Sequence, residues 1–407
     1  MSGAMDTSAT WRPLVEGALR EEVLRVVQEL ARALEESLAH RVPDASLASG
    51  DAGLALLFAW MDKVEDSAHH GAISHGLLDE AMEAVASRPM GMALHSGVSG
   101  VAWALEHLGE GGDALEDVDA ALAQRLAVSP WTGPVELLSG LVGLGVYALE
   151  RLPREDARRC LEGVVARLRE IAEARPEGVT WRRESPEGGH DLGVAHGVPG
   201  VIAVLAGAVR AGVAESEARG LLDGAWSWVM AQRLPHAGRR FPHEVVPGRT
   251  PRPTRAAWCY GDPGVSLVLF TAARAVGESR WEAEALALAR DASKRSLEDS
   301  GVKDAPLCHG SAGLLHIYNR FHQATGEEFF ASAARQWLEH ALRSWQPGRG
   351  IGGFAFWGQD ARGAPAWMER PGLLEGTSGI ALALLAAASS VEPSWDRVLL
   401  MSLRDAG

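Results

Sequence analysis

The sequence predicts an all-α fold: a closed, double-layered barrel of about seven inner and seven outer helices, with a few short hairpins or long loops at its mouth. Three observations carry this reading. A Gly-x-x-Gly phrase recurs seven times along the 407 residues. Each copy runs into an Ala-, Leu- and Val-rich stretch that is apolar on nearly every side, the mark of a buried helix. Between the copies lie charged stretches whose apolar residues recur at helical spacing, the mark of helices wet on one face.

The copies follow in order. Ser49-Gly50-Asp51-Ala52-Gly53 precedes the apolar run 54–60, and Ser96-Gly97-Val98-Ser99-Gly100 precedes 101–108. Ser139-Gly140-Leu141-Val142-Gly143 precedes 144–152, and His196-Gly197-Val198-Pro199-Gly200 precedes 201–209. Tyr260-Gly261-Asp262-Pro263-Gly264 precedes 265–273, and His309-Gly310-Ser311-Ala312-Gly313 precedes 314–321. Glu375-Gly376-Thr377-Ser378-Gly379 closes the series before 380–388. In each, glycine supplies unusual backbone angles and close approach where a loop enters a helix. Amphipathic outer helices are expected at 21–40, 116–127, 154–174, 215–233, 280–298 and 328–342; in the second, Val118, Leu122 and Leu126 share one face.

An open stack of such helix pairs needs polar repeats at its ends. The first and last copies here are as apolar as the middle ones, which favours a ring. The whole chain, 1–407, then reads as one domain with all the Gly loops at one end, where a rigid scaffold usually carries its function. Val179 to Arg183 is β-like, and 235–253 and 348–367 are rich in Gly, Pro or aromatic residues. They read as hairpins or long loops around the mouth.

Composition narrows the function. A net charge of −14 argues against nucleic acid as the main partner. Met1 to Arg12 lacks an apolar signal-peptide run, and no stretch of about 18 apolar residues suggests a membrane span. A cytoplasmic protein without membrane insertion is expected.

Two of the three cysteines fall in matching phrases, Trp258-Cys259-Tyr260-Gly261 and Cys308-His309-Gly310. Thiolate and imidazole are preferred zinc ligands. Cys259, Cys308 and His309 offer three of them, whereas Cys160 lies in no such motif. Three protein ligands leave a coordination position open, as in a catalytic site. Two buried free cysteines or a disulfide are the plainer readings, and their equivalent places in a repeat weigh against both.

Beyond these motifs, Arg255-x-x-Trp258-Cys259-Tyr260-Gly261, Leu192-Gly193-Val194-Ala195-His196-Gly197 and Gly376-Thr377-Ser378-Gly379 are similar to those of the lanthipeptide (lantibiotic) cyclases, the LanC-like family, and the resemblance covers nearly the whole chain. It implies an α/α toroid with one zinc ion at one end. The implied substrate is a precursor peptide whose Ser and Thr a separate dehydratase has converted to dehydroalanine and dehydrobutyrine; an export transporter is a further expected partner. The implied reaction adds peptide Cys thiols across those double bonds to give lanthionine and methyllanthionine rings. Zinc would be held by Cys259, Cys308 and His309, with water or the substrate sulfur in the open position.

The resemblance makes His196 the acid/base candidate, and Arg255, read as one helical turn before Cys259, the group to stabilise the enolate or bind substrate carbonyls. Tyr260 would shape the site or donate a hydrogen bond. Where the family typically has Asp before the third Gly loop, this chain has Glu136, expected to orient His196 or tune its pKa. His95, His190, His243 and His316 lie near loops. His95 and His190 read as structural or substrate-facing. Two other functions stay open here: a zinc-containing relative that binds peptide or glutathione without cyclising it, and an α/α-barrel glycosidase using Asp51, Asp262 and Glu375.

Overall fold

A computed structural model describes residues 11–403 apart from 184, 186 and 361. The expected single-domain span of 1–407 and the N-terminal reading therefore lie partly outside the described residues. In chain order the helices are α1 (Gly17–Leu38), α2 (Asp51–Glu65), α3 (Ala68–Ser87), α4 (Val98–Leu108), α5 (Glu116–Ala127), α6 (Leu141–Arg151) and α7 (Glu155–Glu170). After them come α8 (Val198–Arg210), α9 (Glu215–Ala231), α10 (Asp262–Ala275), α11 (Ser279–Ala292), the short α12 (Leu297–Ser300), α13 (Ser311–Thr325), α14 (Glu328–Ser344) and α15 (Thr377–Ala388). The helices that follow the Gly loops, α2, α4, α6, α8, α10, α13 and α15, pack each against the next, and α15 packs against α2. The ring is closed, which is why neither end needs a polar cap.

Each outer helix except α5, which packs chiefly against α7, packs mainly against the inner helix before it in sequence, so the packing unit is inner helix then outer helix. That order leaves α1 without a predecessor, and it covers α15 at the other end of the chain. Helix α3 is hard to see in the sequence because its buried face is Gly71, Ser74, Leu77, Leu78 and Ala81, a weak apolar stripe. Two outer helices end well short of the expected residue. At 154–174 the helix stops at Glu170 and the chain enters a hairpin, β1 (Glu173–Arg175) with β2 (Gly178–Thr180); at 280–298 it stops at Ala292. The stretch 235–253 supplies β4 (Glu244–Val245), paired with β3 (His190–Asp191), and 348–367 contains most of the hairpin β5 (Phe356–Gln359) with β6 (Pro365–Met368).

The Gly-x-x-Gly phrase is set by close approach more than by unusual angles. A Cβ at either glycine of any copy would sit 1.8–2.7 Å from the backbone of a residue five or six positions earlier. Of the first glycines only Gly261 has a left-handed φ, +96°. The tight turns let the loops hydrogen-bond to one another around the ring. Ala48 N donates to His95 O, His95 N to Leu138 O, Leu137 N to Ala195 O, Ala195 N to Cys259 O, Cys259 N to Cys308 O, Cys308 N to Leu374 O, and Leu374 N back to Ala48 O.

The centre of the barrel is filled by the C-terminal segment. Trp395, Val398, Leu399, Leu400 and Met401 are at most 1% exposed. Asp396 accepts from His316 Nε2 at 2.7 Å and Arg320 Nε at 2.6 Å, and Arg397 pairs with Glu150 of α6. At its upper end Leu399 O accepts from Trp258 Nε1 at 2.8 Å, directly beside Cys259. Among the described residues no helix is long and apolar enough to cross a membrane.

Candidate metal centre

Cys259, Cys308 and Leu374 occupy the same position in successive Gly loops, two residues before the first glycine. Because the loops hydrogen-bond in register, Cys259 N donates to Cys308 O at 3.2 Å, so neighbouring copies deliver the two thiols side by side. His309 follows Cys308 directly. The ligand atoms of Cys259, Cys308 and His309 lie within 4.8 Å of one another, and no fourth His, Cys, Asp or Glu joins them among the described residues. Cys259 is 4% exposed, Cys308 8% and His309 9%.

The donor set suits a thiophilic cation such as zinc. The Nδ1 of His309 is buried without a hydrogen-bond partner, a costly state for a polar atom unless something binds it. His309 Nε2 lies 3.9 Å from Asp304 Oδ2, the kind of carboxylate that orients a ligating imidazole. The Cys259 thiol is pulled well below its usual range by the hydrogen bond with Cys308, against burial and with help from His309 and the Arg255 charge; Cys308 is held high in exchange. Cys160 is apart from this group. It is buried on α7 with Sγ 3.5 Å from Asp119 O, and burial pushes its thiol up to about 11.

Beside this group is a cavity of about 490 Å³ lined by Glu136, Trp181, Arg182, Asp191, His196 and Tyr260, among others. Cys259 adjoins Tyr260 in sequence but does not line it. His196 Nδ1 lies 3.1 Å from Glu136 Oε2. That hydrogen bond, then the Glu136 charge, holds His196 above its ordinary range against burial. Glu136 is held low despite burial by His196, Ser139 and the Leu138 and Ser139 N–H groups. The His196 ring stacks on Tyr260 at 6.0 Å, and Tyr260 Oη donates to Asp191 Oδ2 at 2.9 Å. Burial and the Asp191 charge push the Tyr260 hydroxyl up, so it stays protonated. Arg255 corrects one expectation: it is an exposed residue of a loop and not of a helix, since α10 starts only at Asp262. Its charge nevertheless favours the thiolates of Cys259 and Cys308.

The other histidines divide. His95 is 3% exposed with neither ring nitrogen partnered, and burial pushes it down to about 4. His190 meets Glu173 at 3.0 Å and His316 on α13 holds Asp396 of the central segment, whereas His243 stands edge-on to Tyr260 at 5.9 Å. Asp51 pairs with Arg41, and Asp262 accepts Arg240 N and Phe241 N, so two of the three carboxylates required by a glycosidase reading are structural. Sequence reasoning missed Asp191. The signal was its place six residues before Gly197, matching Arg255 before Gly261 and Asp304 before Gly310. It also missed Phe356, whose ring meets that of His309 edge-on at 5.5 Å.

The chain matches the family described as "Lanthionine synthetase C-like protein" over residues 41–400. The nisin biosynthesis protein NisC of Lactococcus lactis subsp. lactis is 32% identical over 78 residues, which is 19% of this chain and only 18% of that protein. The solved structure of nisin cyclase superposes with a TM-score of 0.75 at 19% identity, covering 94% of this chain and 98% of that one. At that identity the likeness establishes the fold.

Proposed function

This chain belongs to the lanthionine synthetase C-like family, and from that premise we propose that it is a zinc-dependent lanthipeptide cyclase acting in the cytoplasm as one domain over 1–407. The observation that carries the proposal is the Cys259, Cys308 and His309 group next to the cavity that holds His196. The substrate is a peptide already dehydrated by a separate enzyme, and an export transporter would take the product. In the reaction the peptide Cys sulfur bonds to the β-carbon of a dehydro residue. The π-electron pair moves onto the adjacent carbonyl as an enolate, and the α-carbon then takes a proton equivalent to the one the thiol lost.

Cys259, Cys308 and His309 would hold the zinc, which when bound supplies the lowered pKa that turns a thiol into a thiolate at neutral pH. The rest falls to the chain's own residues. His196, kept readily protonated by Glu136, gives its proton to the α-carbon and is recharged by the proton released from the thiol. Arg255 stabilises the enolate oxygen with a permanent charge. Tyr260, tethered by Asp191, keeps the His196 ring in place by stacking.

Ring closure leaves peptide mass unchanged, so the assay must count free thiols. Purified zinc-loaded protein is incubated with a dehydrated Cys-containing peptide, quenched with an alkylating reagent and analysed by mass. Loss of alkylation is expected with the parent protein. His196→Asn should keep zinc and slow the loss by about 10²–10⁴-fold. Zinc retained with every peptide thiol still alkylated by the parent's reaction would move the protein to the binding reading. An unslowed His196→Asn would remove His196 from the mechanism.

A further inference from the structure

We infer that the β5–β6 hairpin is the surface on which the peptide substrate docks, and that it takes a carboxylate-bearing segment of that peptide. The inference rests on the cyclase reading, because the peptide is that reaction's substrate.

Strand alternation gives the hairpin two faces. Phe356 pairs with Met368 on one, and Trp357 with Trp367 on the other. The first face is seated on the candidate metal centre. The Phe356 ring meets His309 at 5.5 Å, and Trp357 N donates to Asp304 Oδ2 at 2.9 Å. The second face turns outward. Its two indoles meet at 5.1 Å, and Trp367 remains 46% exposed.

Cations border both faces. Lys303 Nζ lies 5.2 Å from the Trp357 ring, the Arg349 guanidinium 4.1 Å from Trp367, and the Arg370 guanidinium 6.0 Å from Phe356. No ion pair joins any of the three to a carboxylate among the described residues, although Glu369 and Glu375 are near in sequence. In a chain of net charge −14, three cations without a carboxylate partner make this part of the mouth locally positive and complementary to an anion. A cation over an aromatic ring is held only weakly at an exposed site, and apart from the 3.5 Å contact of Arg349 Nη1 with Gln346 Oε1 no side-chain acceptor takes the N–H donors of these three among the described residues.

The backbone adds a second recognition element. With Trp357 N turned to Asp304, the Trp357–Trp367 pair is the kind whose polar groups point away from each other. The N–H and C=O of Trp367 therefore face outward along an open strand edge, where an extended peptide can add as a further strand. Phe356, one residue from Trp357, touches His309. A strand added to this edge is separated by β6 from β5, the strand that touches the metal-centre loop. Cations with aromatic rings also suit single-stranded nucleic acid, but the chain's overall charge opposes a polyphosphate.

The test separates docking from chemistry. A short fluorescein-labelled peptide of alternating Glu and Gly, with no Cys and no dehydro residue, is titrated with zinc-loaded protein by anisotropy. Its Gln-for-Glu counterpart and a fluorescein-labelled oligothymidylate are titrated in parallel. The Glu peptide should bind most tightly and weaken with added salt. K303Q/R349Q should lose about three- to tenfold in affinity, and Trp367→Ala should also weaken it, with zinc content unchanged. Equal binding of Glu and Gln peptides, an unaffected double variant, or tighter binding of the oligothymidylate would each overturn the inference. Ring closure of a dehydrated peptide is followed alongside. If the Glu peptide docks but no ring forms, the cyclase reading fails and the surface stands; if rings form without docking, the surface fails alone.

Discussion

Replacing Glu136 with Gln removes a charge while nearly keeping a shape. Glu136 accepts Leu138 N at 2.8 Å, Ser139 N at 2.7 Å and meets His196 Nδ1 at 3.1 Å. Oε1 takes Ser139 N while Oε2 takes both Leu138 N and His196, so Gln, with a single oxygen, loses the attraction to a protonated imidazole together with one backbone hydrogen bond, and that second loss cancels in a double-mutant cycle with His196→Asn. Hydrogen bonds to charged groups contribute about 1.5–3 kcal/mol when shielded. The His196 side chain is 41% exposed and Glu136 15%, so solvent screening reduces the coupling to about 1 kcal/mol, about fivefold in a rate.

The sign with pH follows from the directions of the two pKa values. His196 is held above its ordinary 6.5, so its contribution to stability is fully present below that value and is lost as pH rises through the folded one. Glu136 is held below its ordinary 4.5, so its contribution is present above that value and is lost as pH falls through the folded one. The pair is therefore strongest between pH 4.5 and 6.5. A double-mutant cycle of Glu136→Gln and His196→Asn, read by urea unfolding of the zinc-loaded protein, should give about 1 kcal/mol at about pH 5.5 and nearly nothing at about pH 9. In the thiol-counting assay, Glu136→Gln should shift the His196 limb of the pH–rate profile to lower pH, and Glu136→Asp should restore part of it. Coupling under about 0.3 kcal/mol at the lower pH, or equal coupling at both, would refute the reasoning.

Cys308→Ala should abolish tight zinc binding while far-ultraviolet circular dichroism stays that of the parent, because the helices carry their own core; full zinc retention on metal analysis would remove Cys308 from the ligand set. Asp396→Asn leaves the Arg320 guanidinium in the barrel interior with only the exposed Glu392 as a carboxylate partner. It should lower unfolding free energy by about 3 kcal/mol, and a loss under about 1 kcal/mol would show that the central segment is not anchored there.

Much of the site was legible because the repeat is legible. Cys259 and Cys308 hold one repeat position, and loops that bond in register make equal positions neighbours, so the thiols had to meet. Glu136 could be placed by counting from Gly140, and it does reach His196. Asp191 was missed because a carboxylate six residues before a glycine carries no chemical signature until the loop folds back. The error at Arg255 has a similar origin: the spacing suits a helical turn, but the ring needs an open loop there to pass Cys259 N to Cys308 O.

By itself the sequence determined the helices other than α3 and the short α12, their inner or outer place and the order of the loops, since these depend on apolar periodicity and on glycines that local contacts demand. The tertiary structure decided the seat of α1 on α15, the hydrogen bond from Trp258 to Leu399 across 141 residues, and the hairpin's contact with His309. Those contacts join segments far apart in the chain. Which distant partner a face or a donor meets depends on how the ring closes and what space remains inside it, and no local pattern of residues encodes that.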